Sequence, residues 1–297
     1  MTTWNDDPVP IGRRTRRSAL APVPPLPMPP GHVVALASRG EVFIRDTGGP
    51  GVPVVLVHGW MFASDLNWGR QYDALAQAGY RVLAMDLRGH GRGLRSSEAF
   101  QLVDCADDLA ALLDALDVPA ALVVGYSMGG PVTQLLALRH PAKVAGFVLC
   151  ATAMDWQDIR QRVFWRTMGL LRFLLGAAPK SSWRAMVRAS GADPQTSSWV
   201  AAELSRGSAR DLAEAGRELG RYDSSAWIGA LPQPRAVVVT ALDRLVPPNK
   251  QRALAAALRV EPLVVQADHD ACSAAAAAFN AVLLCAIGDL QADHLTT

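Results

Sequence analysis

Three short stretches of the 297-residue chain hold side chains that could act together on an acyl carbon. The first is "GYSMGG", Gly125 to Gly130, a G-x-S-x-G that follows an apolar run and opens a helix-length segment. That context is what a nucleophile on a strained strand-to-helix turn requires, with small residues two positions to either side so that strand and helix can approach. The hydroxyl of Ser127 is a poor nucleophile near neutral pH unless a base takes its proton during attack, and the base must be held in one tautomer. In this arrangement the acid and then the histidine follow the serine along the chain. Of six histidines only His140, His269 and His294 follow Ser127. His140 ends the helix-length segment 128–140, where a cation complements the helix dipole, and His294 sits in a polar tail. His269, within "QADHDAC", follows the last apolar run, at the sheet edge where sites in open α/β folds gather.

The acid comes from "VVVTALDRLVPP", which places Asp243 just beyond the end of the preceding run. Asp268 and Asp270 flank His269, but side chains one position apart diverge in an extended loop. They are expected to tune the imidazole pKa or to be solvated charges. Asp243 could also serve as a turn or helix-capping residue before Pro247, and Asp155 is the reserve acid. An oxyanion needs two backbone donors: the N–H of Met128, directly after the nucleophile, and that of Trp60 in "HGWMF". His58 in the same loop reads as a brace. "DLRGHGRG" lacks the G-x-G-x-x-G spacing of a dinucleotide site and reads as a loop former.

Positioning these residues takes buried strands. Residues 52–59, 80–89, 120–127, 144–153, 235–243 and 260–268 are short, continuous, β-branched apolar runs, the pattern of strands covered on both faces. Helix-length segments at 67–79, 100–118, 128–141 and 247–259, and an alanine-rich C-terminal stretch, alternate with them. This implies right-handed crossovers and a mostly parallel, doubly wound α/β sheet with helices on both faces. "HVVALAS" and "EVFIRD" form a hairpin expected at one edge. The alternation fails between about Thr152 and Leu231, a region holding Trp156, Trp165, Trp183, Trp199 and Trp227. The expectation is a core of residues 32–151 and 231–297 interrupted by a helical cap at 152–230. Within the cap, 159–175 has one apolar side and Arg162, Arg166 and Arg172 on the other. Trp156, Phe164 and Met168 are the cap's candidate substrate contacts.

Composition closes off other classes. Half the residues are hydrophobic and net charge is +2, so no global field exists to grip nucleic acid. Cys105, Cys150, Cys272 and Cys285 form no CxxC pair and have no histidine at zinc spacing, so reduced core thiols are expected, with no metal and no cofactor. Residues 1–31 contain "RRTRR" and a proline-rich run without the apolar region of a signal peptide, and are expected to form a disordered arm. The uncharged stretch Ala271 to Gly288 resembles a membrane span but is mostly alanine, and is expected to be a buried or half-buried helix. A cytoplasmic protein without a transmembrane segment follows, with peripheral membrane contact through the arm or cap left open.

Together, "HGW", "DLRGHG", "GYSMGG", "ALDRLVP" and "ADHDAC" resemble the α/β-hydrolase superfamily over roughly Val33 to Ile287, in its branch of esterases, lipases, cofactor-free haloperoxidases and epoxide-hydrolase-like enzymes. The resemblance implies Ser127 as nucleophile, His269 as base, Asp243 as acid, and the Trp60 and Met128 amides as oxyanion donors. A serine nucleophile argues against epoxide-hydrolase and dehalogenase chemistry. The expected activity is hydrolysis of small, apolar or lipid-like carboxylic esters or thioesters through an acyl-enzyme. Alternatives are haloperoxidase, perhydrolase or C–C hydrolase chemistry with the same triad, or a ligand-binding protein without turnover. Members commonly carry glycine before the histidine, and Asp268 stands there in this chain.

Overall fold

The computed structural model of the protein describes residues 24–157, 188 and 193–296. Eight strands form one sheet: β1 (Gly31–Leu36), β2 (Gly40–Asp46), β3 (Pro53–Val57), β4 (Arg81–Met85), β5 (Ala121–Tyr126), β6 (Val144–Cys150), β7 (Arg235–Thr240) and β8 (Leu263–Val265), in the order β1-β2-β4-β3-β5-β6-β7-β8. The pairs from β4 through β8 are parallel, while β1–β2 and β2–β4 are antiparallel, which puts the hairpin at the edge as its alternating pattern predicts.

The continuous apolar runs are explained by two cores, one on each face. Val55, Val57, Val123 and Leu149 point into one, and Val54, Leu56, Leu122 and Val124 into the other, the period-2 alternation of a strand covered on both sides. Helices α3 (Leu102–Ala115) and α4 (Gly129–Arg139) seal the first face through Leu109, Leu112, Val132 and Leu136. On the second face lie α1 (Ser64–Trp68) and α2 (Tyr72–Gln77), with Trp68, Tyr72 and Leu75 buried.

Between β6 and β7 the described residues contain no strand beyond a single Asp155–Asp223 bridge. They contain α5 (Pro194–Leu204), capped by Asp193 through the N–H groups of Gln195 and Thr196, and α6 (Ala209–Leu219), capped by Ser208. Ser208 N–H and Glu214 fasten α6 to the core at Gly89 O (2.8 Å) and Phe100 N–H (2.9 Å). The apolar helix read at 159–175 lies outside the described residues, as do residues 1–23.

Helix α7 (Pro248–Leu258) follows β7, and β8 leads through α8 (Ala271–Ala274) into α9 (Ala276–Thr296). The uncharged C-terminal stretch is thus a helix with one buried side, Phe279, Leu283, Ala286, Ile287 and Leu290, packed against β6, β7 and β8. No helix among the described residues is long and apolar enough to cross a membrane.

Four readings of the sequence need correction. The helix expected over 67–79 is two helices broken at Gly69 and Arg70. Strand β8 is shorter than 260–268, because the N–H groups of Val260 and Ala267 are taken by turn bonds to Ala255 O and Val265 O. Cys285 is an exposed thiol, unlike the buried Cys105, Cys150 and Cys272. The arm expected to be disordered through residue 31 is already packed at its end: Met28 lies against the second core, and Pro29 O accepts from Arg45 Nη1 at 2.9 Å.

Candidate active site

Ser127 occupies the turn between β5 and α4 with φ of +53°, a left-handed conformation that costs a residue bearing Cβ about 1 kcal/mol or more. Surrounding bonds hold it there. Its N–H donates to Cys150 O (3.0 Å), and its carbonyl accepts from Thr152 Oγ1 (2.7 Å) and Gly130 N–H (2.9 Å). The glycines of "GYSMGG" have steric reasons: a Cβ on Gly125 would strike Gly129 O, one on Gly129 would strike Val57 O, and one on Gly130 would strike Thr152. The side chain is left 6% exposed at the carboxyl edge of the sheet.

His269 reaches Ser127 from the loop after β8, with Nε2 3.0 Å from Ser127 Oγ and Nδ1 2.8 Å from Asp243 Oδ2. Because a carboxylate accepts, Nδ1 carries the proton and Nε2 faces the hydroxyl as acceptor. Asp243 is 4% exposed and fully engaged. Its Oδ1 accepts the N–H groups of Leu245 (2.9 Å) and Val246 (2.8 Å), and its Oδ2 also accepts from Thr240 Oγ1 (2.7 Å) and Gln251 Nε2 (3.1 Å). Thr240 and Gln251 orient the carboxylate, and their sequence contexts carry no signal of it.

The loop after β3 closes the other side. Gly59 lies so near the serine that a Cβ there would sit 3.2 Å from Ser127 Cβ, and its N–H is bound by Asn67 Oδ1 at 2.9 Å. Trp60 follows, its indole N–H donating to Leu212 O of α6 at 2.7 Å, and Met128 heads α4 directly after the serine. His58 is the brace its position suggested: Leu87 N–H donates to Nε2 (2.9 Å), so Nδ1–H donates to Gly59 O (2.8 Å). Burial pushes its pKa down although Asp86 pulls the other way. "DLRGHGRG" is also a loop former, with Gly89 and Gly91 at positive φ around a buried Asp86. Burial would raise the Asp86 pKa, but Arg92 and His58 outweigh it and the net shift is downward.

Other readings fall away. The Asp155 carboxylate pairs with Lys250 Nζ at 2.9 Å, on the far side of the acid loop, and makes no bond to His269. Asp268 does not engage the imidazole: it accepts the N–H groups of His269 and Arg244 and the Arg244 side chain. Trp156, a candidate substrate contact, is 2% exposed and part of the first core. Phe164 and Met168 lie outside the described residues. Among the described residues no cluster of histidine, cysteine and acidic side chains is arranged to hold a metal.

Comparison with known proteins agrees with this geometry. The sequence profile of the α/β hydrolase fold matches residues 52–272, most of the chain. The chain belongs to the α/β-hydrolase fold family. A 118-residue stretch is 41% identical to a non-heme chloroperoxidase of Streptomyces lividans, covering 39% of this chain and 42% of that protein, so the match spans less than half of that relative. A longer alignment, 31% identical over 246 residues, covers 77% of this chain and 90% of the candidate carbamate hydrolase RutD of Variovorax paradoxus (strain S110). Among solved structures, a thermophilic esterase of Thermogutta terrifontis superposes with a TM-score of 0.73 at 23% identity, covering 88% of this chain and 99% of the esterase, which is likeness of fold.

Proposed function

We propose that this α/β hydrolase is a serine hydrolase that cleaves carboxylic esters or thioesters through an acyl-enzyme. Ser127 attacks the carbonyl while His269 takes its proton, and Asp243 orients and stabilises the imidazolium that forms. His269 then protonates the leaving group, and a water activated by the same ring releases the acid. The Trp60 and Met128 amides are the assigned donors to the tetrahedral oxyanion. The observation that carries this reading is the unbroken relay Ser127 Oγ, His269 Nε2, His269 Nδ1, Asp243 Oδ2, with gaps of 3.0 and 2.8 Å. A fold retained only for ligand binding has no use for that alignment.

The substrate is read as small, with an apolar or lipid-like acyl or alcohol part facing the 152–230 insertion, and the protein as cytoplasmic. The net charge of +2 speaks against nucleic acid as a partner. The stretch similar to a chloroperoxidase supports a second reading, perhydrolysis by the same triad, in which hydrogen peroxide replaces water at deacylation.

The test is a fluorophosphonate probe followed by p-nitrophenyl esters of increasing chain length. Labelling at Ser127, and a loss of about 10⁴-fold or more in kcat on Ser127→Ala, are expected. Hydrolysis that survives the substitution would sink the assignment. Halogenation of monochlorodimedone dependent on peroxide and a carboxylic acid would favour the second reading.

A further inference from the structure

The hydrogen bonds of the triad orient the His269 ring, but the ring can be no better placed than the main chain that carries it. The residues that hold this main chain are sequence neighbours of the triad. On the amino side, the carboxylate of Asp268 receives His269 N–H at 2.8 Å through Oδ1, and the same oxygen receives Arg244 N–H at 3.0 Å. Oδ2 receives Arg244 Nε at 2.7 Å. Arg244 directly follows Asp243, so one carboxylate joins the loop of the acid to the loop of the base. A backbone bond from Leu242 N–H to Ala267 O (3.0 Å) precedes this link, and the His269–Asp243 contact follows it. On the carboxyl side, Tyr126, which directly precedes Ser127, donates its hydroxyl to His269 O at 2.7 Å. Its oxygen also receives the Cys272 N–H, and its ring packs edge-on against Trp68, Phe279 and His269.

We infer that Asp268 and Tyr126 are positioning residues, which clamp the His269 main chain from both sides and tie it to the acid loop and to the nucleophile strand respectively. The inference rests on Ser127, His269 and Asp243 acting as the triad. It gives Asp268 a task in place of the glycine common in relatives: a carboxylate supplies the acceptor that a glycine cannot. The energetic weight falls on the charge-assisted bonds from the two backbone N–H groups, which are held in place. The Arg244 guanidinium, 88% exposed as a side chain, contributes little as an ion pair. The Arg244 and His269 N–H groups also hold the Asp268 pKa down to about 2, so the acceptor is ionised wherever the imidazole is neutral. Tyr126 is buried, and burial pushes its pKa up, so its hydroxyl stays a donor.

The experiment compares the full-length protein with Asp268→Ala, Asp268→Asn, Tyr126→Phe and Arg244→Ala. The readouts are steady-state hydrolysis of p-nitrophenyl butyrate, the second-order rate of fluorophosphonate labelling, and the downfield proton resonance of His269 Nδ1–H. A misplacement of the base by a fraction of an ångström predicts a fall of about tenfold in kcat and labelling rate for Asp268→Ala and Tyr126→Phe, with KM within about twofold. The Nδ1–H resonance should broaden in both. Asp268→Asn, whose amide oxygen still accepts both N–H groups, should recover most of the loss, and Arg244→Ala should stay within about twofold of the parent. Because both residues hold one peptide segment, the double variant should lose less than the product of the two single losses. Unchanged labelling and an unchanged resonance in folded Asp268→Ala and Tyr126→Phe would overturn the inference while leaving the triad standing. A parent protein that the probe does not label at Ser127 overturns the triad reading and the inference together. If Asp268→Ala does not fold, Tyr126→Phe and Asp268→Asn decide: an unchanged resonance in the first overturns the clamp, and a broadened one supports it.

Discussion

His58 and His269 each follow a parallel strand, β3 in one case and β8 in the other, and each lies within a short distance of Ser127, yet their rings do opposite things. Both nitrogens of His58 are consumed by backbone, Leu87 N–H on one side and Gly59 O on the other. Those of His269 meet a carboxylate and a hydroxyl. A ring bound by two peptide groups has nowhere to pass a proton and can only hold a loop in place. One bound by an anion and an ionisable hydroxyl can take a proton and give it back. The difference is made by the partners, since both residues are histidines at the carboxyl edge of one sheet.

The sharpest way to break that contrast is at the partner of His269. Asp243→Asn keeps the shape of the acid but lets the amide donate, which favours the wrong tautomer, and kcat for ester hydrolysis should fall about 10⁴-fold with the fold intact. A loss below tenfold would mean His269 does not depend on its anion. At the other ring the damage should be to stability: His58→Ala orphans Leu87 N–H and opens a cavity, for a loss of about 3 kcal/mol read from urea midpoints. Activity per folded molecule should survive to within tenfold, by contrast with Asp243→Asn.

The pH dependence of stability sharpens the same contrast. His58 and its neighbour His90, with ring centroids 5.4 Å apart, are both buried. Burial lowers the pKa of each, His90 to about 3 with a further push from His58. In the unfolded chain both bind protons below about pH 6.5, whereas the native state refuses them, so stability is full above that value and falls as pH drops toward 3. The slope should approach about 1 kcal/mol per pH unit for each ring. Urea unfolding between pH 7 and 4 should show it, and His58→Ala should flatten it. A flat profile in the parent would mean that the rings are not held neutral. The smallest expected effect is at the loop His58 braces: Trp60→Phe removes the indole bond to Leu212 O and should cost about 1 kcal/mol.

How much of this could be read from the letters depends on whether the physics is local. The nucleophile turn is local: glycines at 125, 129 and 130 are demanded by neighbours within the strand–turn–helix unit and by β3 beside it, so the motif carries its own explanation. The pairing of His269 with Asp243 was legible because chain order and strand ends constrain it. The task of Asp268 was not, because nothing in "QADHDAC" tells which way its carboxylate turns, and its partner is the backbone of Arg244 in another loop. Thr240 and Gln251, which finish the cage around Asp243, are ordinary residues in a strand and a helix. Trp156 misled for a related reason: an aromatic after a strand end reads equally as pocket wall or core, and its burial chose the core. The length of β8 failed where turn bonds at both ends outcompeted the ladder, a contest that β-branched composition does not reveal.

The bond from Trp60 to Leu212 O joins the loop that lies over the nucleophile to a carbonyl supplied by the inserted helix α6. The insertion therefore cannot be exchanged as a cassette with that of a relative on the strength of matching ends alone. A transplanted segment must also present a carbonyl to the indole and a small residue against Gly89, where a Cβ on the glycine would already strike Asp211. Chimaeras that preserve α6 and vary only the preceding part of the insertion should keep the acyl-transfer machinery and change what it accepts.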